Sequence, residues 1–121
     1  MRTREQDRMR QSLHLVRAQK DTSTVAEYGR ACLKFPVLVR TAGLCQTVAF
    51  YRSRKGAHLT YVSDLATQLE SAGLIKNRDL LAALTTEDVA TYMLLTREAL
   101  AIGNWMRRFA QSELGAEDTG E

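Results

Sequence analysis

Apolar residues recur along this chain every three or four positions, and alternation at every second position never persists. A period near 3.6 is that of a helix with one buried face, so helices are expected throughout and no strand. Over residues 3–20, Met9, Leu13 and Val16 make a narrow stripe on an otherwise polar surface. Asp21-Thr22-Ser23-Thr24 interrupts that pattern, with Ser23 or Thr24 placed to cap a second helix. That helix carries Val25, Tyr28, Gly29, Cys32 and Leu33 on one face. Pro36, the single proline, has no N–H, and its ring clashes with the Cys32 carbonyl, which predicts a kink or a stop near residues 33–35. Residues 36–41 then either continue past the kink or begin a short helix of their own. Gly43 supplies a turn, and Leu44, Val48, Ala49 and Tyr51 mark a further helix that stops at Gly56.

After an expected loop at residues 57–60, Val62, Leu65, Ala66 and Leu69 form the next stripe. Gly73 followed by Leu74 reads as a left-handed helix cap with its hydrophobic contact. Asn77 is placed to cap a short helix bearing Leu80, Leu81 and Leu84, and Thr85-Thr86-Glu87-Asp88 has the hydroxyls and carboxylates of a helix start. The last helix is the longest, over residues 87–114. Val89, Tyr92, Met93, Thr96, Leu100, Gly103 and Met106 or Phe109 line one side, with Trp105 beside it. The pattern therefore predicts an all-α fold: a single compact bundle of about five to six helices over residues 1–114, with a proline-kinked second helix. A disordered acidic tail over residues 115–121 completes it.

A length of 121 residues fits one domain large enough to bury a core without disulfides or metal. No apolar run approaches the ~18 residues of a membrane span, and MRTREQDRMRQ at the start has no apolar centre of the kind a secretory signal needs. Cys32 and Cys45 are at no ligand spacing and fall in helical apolar patterns, which suits free thiols in a reducing compartment. A cytoplasmic location is expected.

Charge changes the picture more. Residues 1–60 hold twelve Lys/Arg and four Asp/Glu, whereas residues 61–121 hold five and ten, so halves of +8 and −5 combine into a net +3. A molecule polarised in this way suits a polyanion on its basic half, or head-to-tail stacking of copies. Catalytic chemistry has no foothold in the sequence. His14 and His58 belong to different elements, and there is no Cys/His cluster, phosphate-cradling glycine loop or Ser/His/Asp trio at recognisable spacing. Glu27 and Glu98 suit structural ion pairs. No enzyme activity, cofactor, metal or small-molecule substrate is expected. What remains is arginine and lysine, the side chains that grip phosphates and release their counterions. Tyr28, Phe50 and Trp105 are expected in the core, so binding should track the backbone of a nucleic acid and not read its bases.

Residues 27–56 resemble a family signature: Glu27-Tyr28-Gly29, then Pro36, Arg40, Gly43-Leu44 and an apolar helix with Ala49-Phe50. A second match lies in the last helix, at Tyr92, Thr96, Glu98, Ala99, Leu100, Trp105, Arg108 and Phe109. Together these resemble the small all-helical subunit of the type III-B CRISPR RNA-targeting effector complexes, the Cmr complexes. One departure is Ala42, where the family pattern carries a polar residue before the glycine. The resemblance implies a non-catalytic subunit that stacks in copies beside the backbone subunits. It also implies that a basic face helps hold target RNA in antiviral defence, with the other subunits, further copies and the CRISPR RNA and target RNA as partners. Arg17, Lys20, Arg40, Arg52, Arg54 and Lys55 are the expected phosphate contacts. A scaffold that docks its basic half on the acidic face of the next copy, with little RNA contact, is the alternative.

Overall fold

Thr3 starts the first helix through a reciprocal cap. Its hydroxyl accepts from the Gln6 amide at 3.1 Å, and the Gln6 side chain accepts from the Thr3 amide at 2.9 Å. From there a computed structural model describes residues 1–117 as six helices: α1 (Arg4–Arg17), α2 (Val25–Ala42), α3 (Leu44–Arg54), α4 (Gly56–Ser71), α5 (Leu80–Thr86) and α6 (Val89–Leu114). No strand occurs among the described residues. Residues 118–121, most of the expected acidic tail, lie outside them.

Pro36 does not end its helix. α2 runs unbroken through it to Ala42, with Pro36 itself buried. Beside the carbonyl that the proline leaves without an amide partner, the Leu33 carbonyl accepts from the Arg107 guanidinium of α6. Packing against α6 thus holds a segment that local propensity would break. The expected loop at residues 57–60 is also absent. Lys55 at φ +57° and Gly56 at φ +55° turn the chain between α3 and α4, and Ala57 and His58 are already buried in the first turn of α4.

The α4 terminus agrees with expectation: Gly73 at φ +78° lets the Leu74 amide reach back to the Leu69 carbonyl at 3.0 Å. Asn77 does not cap α5. Asp79 does, accepting from the Ala82 amide at 3.1 Å, because it stands directly before the first helical residue. Asp88 likewise starts α6, accepting from the Thr91 amide at 2.8 Å.

α6 is the axis. α1 lies along one side of it in the same direction, joined by Arg8–Glu98 and Arg17–Glu113, and α2 runs antiparallel along the other. Along that second seam Gly29 meets Ala116, Phe35 meets Gly103, and the Tyr92 hydroxyl accepts from the Cys45 amide at 3.0 Å. α6 has 26 residues against 18 in α2, so its first turn overhangs the end of α2. Val89 and Met93, expected in the core, are therefore 76% and 59% exposed.

An aromatic cluster fills the centre. Phe35, Tyr51 and Tyr61 lie 5.0–5.8 Å apart by ring centroid, and Tyr28 lies 6.0 Å from Tyr61. Their hydroxyls differ in fortune. Tyr51 donates to the Ala31 carbonyl at 2.6 Å, and Tyr28 donates to Asp64 Oδ2 at 2.6 Å. The Tyr61 hydroxyl is buried with no hydrogen-bond partner among the described residues. Burial raises the Asp64 carboxyl above its usual range, and the Tyr28 bond only partly opposes that shift.

Two substitutions should therefore act in opposite directions. Tyr61→Phe removes an unsatisfied group and raises stability by up to about 1 kcal/mol, whereas Tyr28→Phe lowers it by about 1–2 kcal/mol. Chemical denaturation of both variants checks the signs. A raised folded-state pKa means that Asp64 favours the fold at acid pH. That contribution is lost as pH rises through the folded-state value, so Asp64→Asn gains stability relative to wild type towards neutral pH.

Candidate nucleic-acid interface

Between Glu27 and Asp64 the chain contains no acidic residue, yet it carries Arg30, Lys34, Arg40, Arg52, Arg54 and Lys55. This span makes up nearly all of α2, all of α3 and the first half of α4. All six cations are exposed, and none forms an ion pair among the described residues. Acidic neighbours have consumed several of the others. Arg4 and Arg8 converge on Glu98 at 2.6 and 2.7 Å, Arg2 meets Asp7 at 2.9 Å, and Arg78 meets Glu70 at 3.0 Å.

The start of α2 is the hub of this surface. Glu27, in its first turn, lies 3.1 Å from His58 Nδ1 across to α4, within hydrogen-bond distance, and against Gly56. A carboxylate is thereby supplied to the N-terminus of α4, whose own preceding residue, Lys55, makes no side-chain cap. The contact also draws the α3–α4 junction to the beginning of α2. Ala116 packs on Gly29 there, and Arg17 reaches Glu113 at 2.8 Å, so the C-terminal ends of α1 and α6 lie at the same end of the bundle.

Arg17, Lys20, Arg54 and Lys55 thus gather at one end, while the other two expected contacts do not join them. Arg40 stands near the far end of α2, on the edge facing α6 and roughly 20 Å along the helix from its start. Arg52 turns to the opposite side of α3 from Arg54, into a hollow of about 270 Å³ with Leu59, Ser63, Ala66, Arg78 and Leu80. Arg17 is already held by Glu113, whose carboxyl its hydrogen bond keeps below the usual range.

Two residues that pattern reasoning passed over extend the basic surface from that end along α2, Arg30 in its second turn and Lys34 at its middle. Arg30 and Lys34 are one turn apart on the solvent face of α2. Lys34 lies on the edge shared with Ala31, whose carbonyl meets Tyr51 of α3. The signal was available, because both stand opposite the buried Tyr28, Cys32, Phe35 and Val39.

Phe50 is a correction of another kind. Expected in the core, it is 46% exposed, because adjacent helical residues point about 100° apart and Tyr51 takes the inward position. Trp105 is also outside the centre, half-buried between α1 and α6, stacked on Phe109 at 5.5 Å and donating to Glu5. Tyr28 is fully buried as expected. Glu98 and Glu27 both pair, the latter with a histidine.

Among the described residues no group of three or more His, Cys, Asp or Glu could hold an ion. Burial pushes the Cys32 thiol up, so it stays protonated and unreactive. No helix of the described chain is long and apolar enough to cross a membrane.

The family of CRISPR-associated proteins described as Cas_Cmr5 matches residues 4–113, which is α1 through nearly the last residue of α6. The chain belongs to the Cas_Cmr5 family. It is 42% identical over 113 residues to the CRISPR system Cmr subunit Cmr5 of Thermus thermophilus, covering 93% of this chain and 96% of that one. Its fold is similar to the crystal structure of a CRISPR-associated Cmr5 family protein from the same organism. There the TM-score is 0.84 at 40% identity, over 93% of this chain and 99% of the other. The match spans both the acid-free stretch and the α6 seam, so family membership covers the whole surface described above.

Proposed function

We propose that the chain is a non-catalytic structural subunit of a Cmr-type CRISPR ribonucleoprotein complex. Copies of it stack beside the complex's backbone subunits, and the end of its bundle where α2 begins helps hold single-stranded target RNA. The name of the Thermus relative, a Cmr subunit, supports the place in the complex. The observation that carries the RNA contact is a run of exposed cations, unpaired among the described residues, in a stretch without one carboxylate. In a chain that pairs Arg2, Arg4, Arg8, Arg17 and Arg78 with its own acids, Arg30, Lys34, Arg54 and Lys55 are left available for external phosphates. The contact is electrostatic, falls with salt, and is indifferent to base sequence.

Titrating the purified chain against a labelled single-stranded RNA across a salt series tests this. The double variant Arg54→Ala/Lys55→Ala should bind more weakly, and its log K against log salt slope should be shallower by about 0.7 for each phosphate no longer neutralised. Lys76→Ala, on the segment between α4 and α5, should leave the slope alone. Equal slopes for wild type and the double variant would remove this surface from the RNA. Salt-sensitive self-association without RNA would favour the scaffold role.

A further inference from the structure

α3 carries two adjacent aromatic residues and has one inward position for them. Tyr51 occupies it, with its ring in the central cluster and its hydroxyl on the Ala31 carbonyl. Phe50 is left with nearly half its surface in solvent. One exposed phenylalanine is ordinary on a protein surface, but the surroundings of this one are not those of a protein-docking patch. Its exposed neighbours along α3 are Gln46, Ala49, Ser53 and Arg54, small or polar, so no apolar stripe continues from it along the helix. The Arg54 guanidinium lies over the ring, 5.9 Å from its centroid. No carboxylate occurs after it in sequence until Asp64.

We propose that Phe50 and Arg54 form a stacking site for one unpaired nucleobase of a single-stranded nucleic acid. The proposal rests on the reading that this end of the bundle holds RNA by its phosphates, and it adds a base contact to that backbone contact. An isolated aromatic face flanked by cations is what single-strand binding uses: the ring stacks on any base, and the cations track the backbone. Arg54 suits either task, since a guanidinium stacks on a base as well as gripping a phosphate. Two stacked contacts of about 3.5–4 Å each span about 7–8 Å. The exposed Arg54 side chain therefore needs to swing out by only an ångström or two for a base to enter between it and the ring. Stacking of this kind tolerates every base, so it leaves binding without sequence preference.

The test compares a labelled oligouridylate with an abasic ribose-phosphate strand of the same length, against the full chain and its Phe50→Ala and Phe50→Trp variants. Phe50→Ala should bind the oligouridylate about tenfold more weakly with an unchanged salt slope, and should bind the abasic strand as wild type does. Phe50→Trp should bind as tightly as wild type, and its indole emission should be quenched by the oligouridylate beyond any change that Trp105 gives in the wild-type chain. Wild-type affinity in Phe50→Ala, with a steep salt slope retained, would overturn the stacking site and leave the phosphate contact standing. Equal losses on both strands would mean that Phe50 only positions Arg54, which also overturns it. Loss of self-association or of assembly with other subunits, with RNA binding intact, would assign the ring to a protein partner. Absence of RNA binding by the wild-type chain would remove the phosphate reading and the stacking site together.

Discussion

Replacing Glu98 with glutamine should destabilise the protein by about 2–3 kcal/mol, among the largest effects expected of any single substitution outside the apolar core. Glu98 is 8% exposed in the middle of α6 and binds two arginines from α1: Arg4 at 2.6 Å, and Arg8 at 2.7 and 2.9 Å through both carboxylate oxygens. The Arg8 contact is bidentate, the geometry in which a guanidinium and a carboxylate are strongest. Glutamine keeps the volume but leaves Arg4 without a counter-charge and Arg8 with only Glu5, at 3.4 Å. The cost lies below that of a fully buried pair, because Arg4 still reaches solvent. In a domain of this size a loss of about 2–3 kcal/mol lowers the melting temperature by roughly 10 °C. Replacing Arg8 and Glu98 together with methionines should recover much of it, since an apolar pair removes the desolvation cost along with the attraction. The hydrogen bond from Arg8 holds the Glu98 carboxyl below its usual range. A lowered folded-state pKa gives stability that is present above the unfolded value and lost as pH falls through the folded one. The gap between wild type and Glu98→Gln should accordingly close under acid conditions. Equal melting temperatures at neutral pH would show that the pair contributes nothing.

Gly103→Val should cost a similar amount for a steric reason. A Cβ at this position would lie 2.9 Å from Phe35 Cδ2, 3.3 Å from Cε2 and 3.4 Å from the Tyr61 hydroxyl. Phe35 cannot step aside easily, because Tyr51 and Tyr61 hold its ring from two directions. Glycine here exchanges helix propensity for the close approach of α2 and α6. Alanine would gain about 1 kcal/mol of propensity and lose more to overpacking, while valine adds branching that the site has no room for, for a net loss of about 2–3 kcal/mol. The control is a double-mutant cycle. Phe35→Leu alone is destabilising, but in the Gly103→Val background it opens space, so the two changes should be less than additive. Additive costs would mean that the residues do not share the space.

The periodicity of apolar residues was enough to read the helices, since each turn of the chain repeats the same choice between core and solvent. The Gly73-Leu74 cap was legible because it is local chemistry, decided within a few residues; before α6 the expected hydroxyl cap gives way to the Asp88 carboxylate, with Thr85 and Thr86 inside α5. The errors have a common cause in tertiary contact. Lys55 and Gly56, both at positive φ, replace the expected loop where Glu27 and His58 tie α2 to α4; at Pro36, where a continuing helix was one of two expected outcomes, the packing of α6 along α2 accompanies the continuation. Pairs such as Arg8–Glu98, 90 residues apart, leave no mark in a window of the sequence. The candidate interface was legible in composition and not in position. The basic half was evident, but which cations face which way depends on the helical angle of each. That angle separates Arg52 from Arg54 and turns Phe50 outward beside Tyr51.

The central claim, that the end of the bundle where α2 begins faces target RNA, is tested most directly inside the assembled complex. A photo-crosslinking amino acid at Ser53, between Phe50 and Arg54, should capture the target strand, and the same group at Asn104, on the outer face of α6, should not. Capture of target RNA from position 53 and not from 104 is the result expected. Capture of protein subunits alone from position 53 would contradict the account and leave a scaffold whose basic end meets acidic protein.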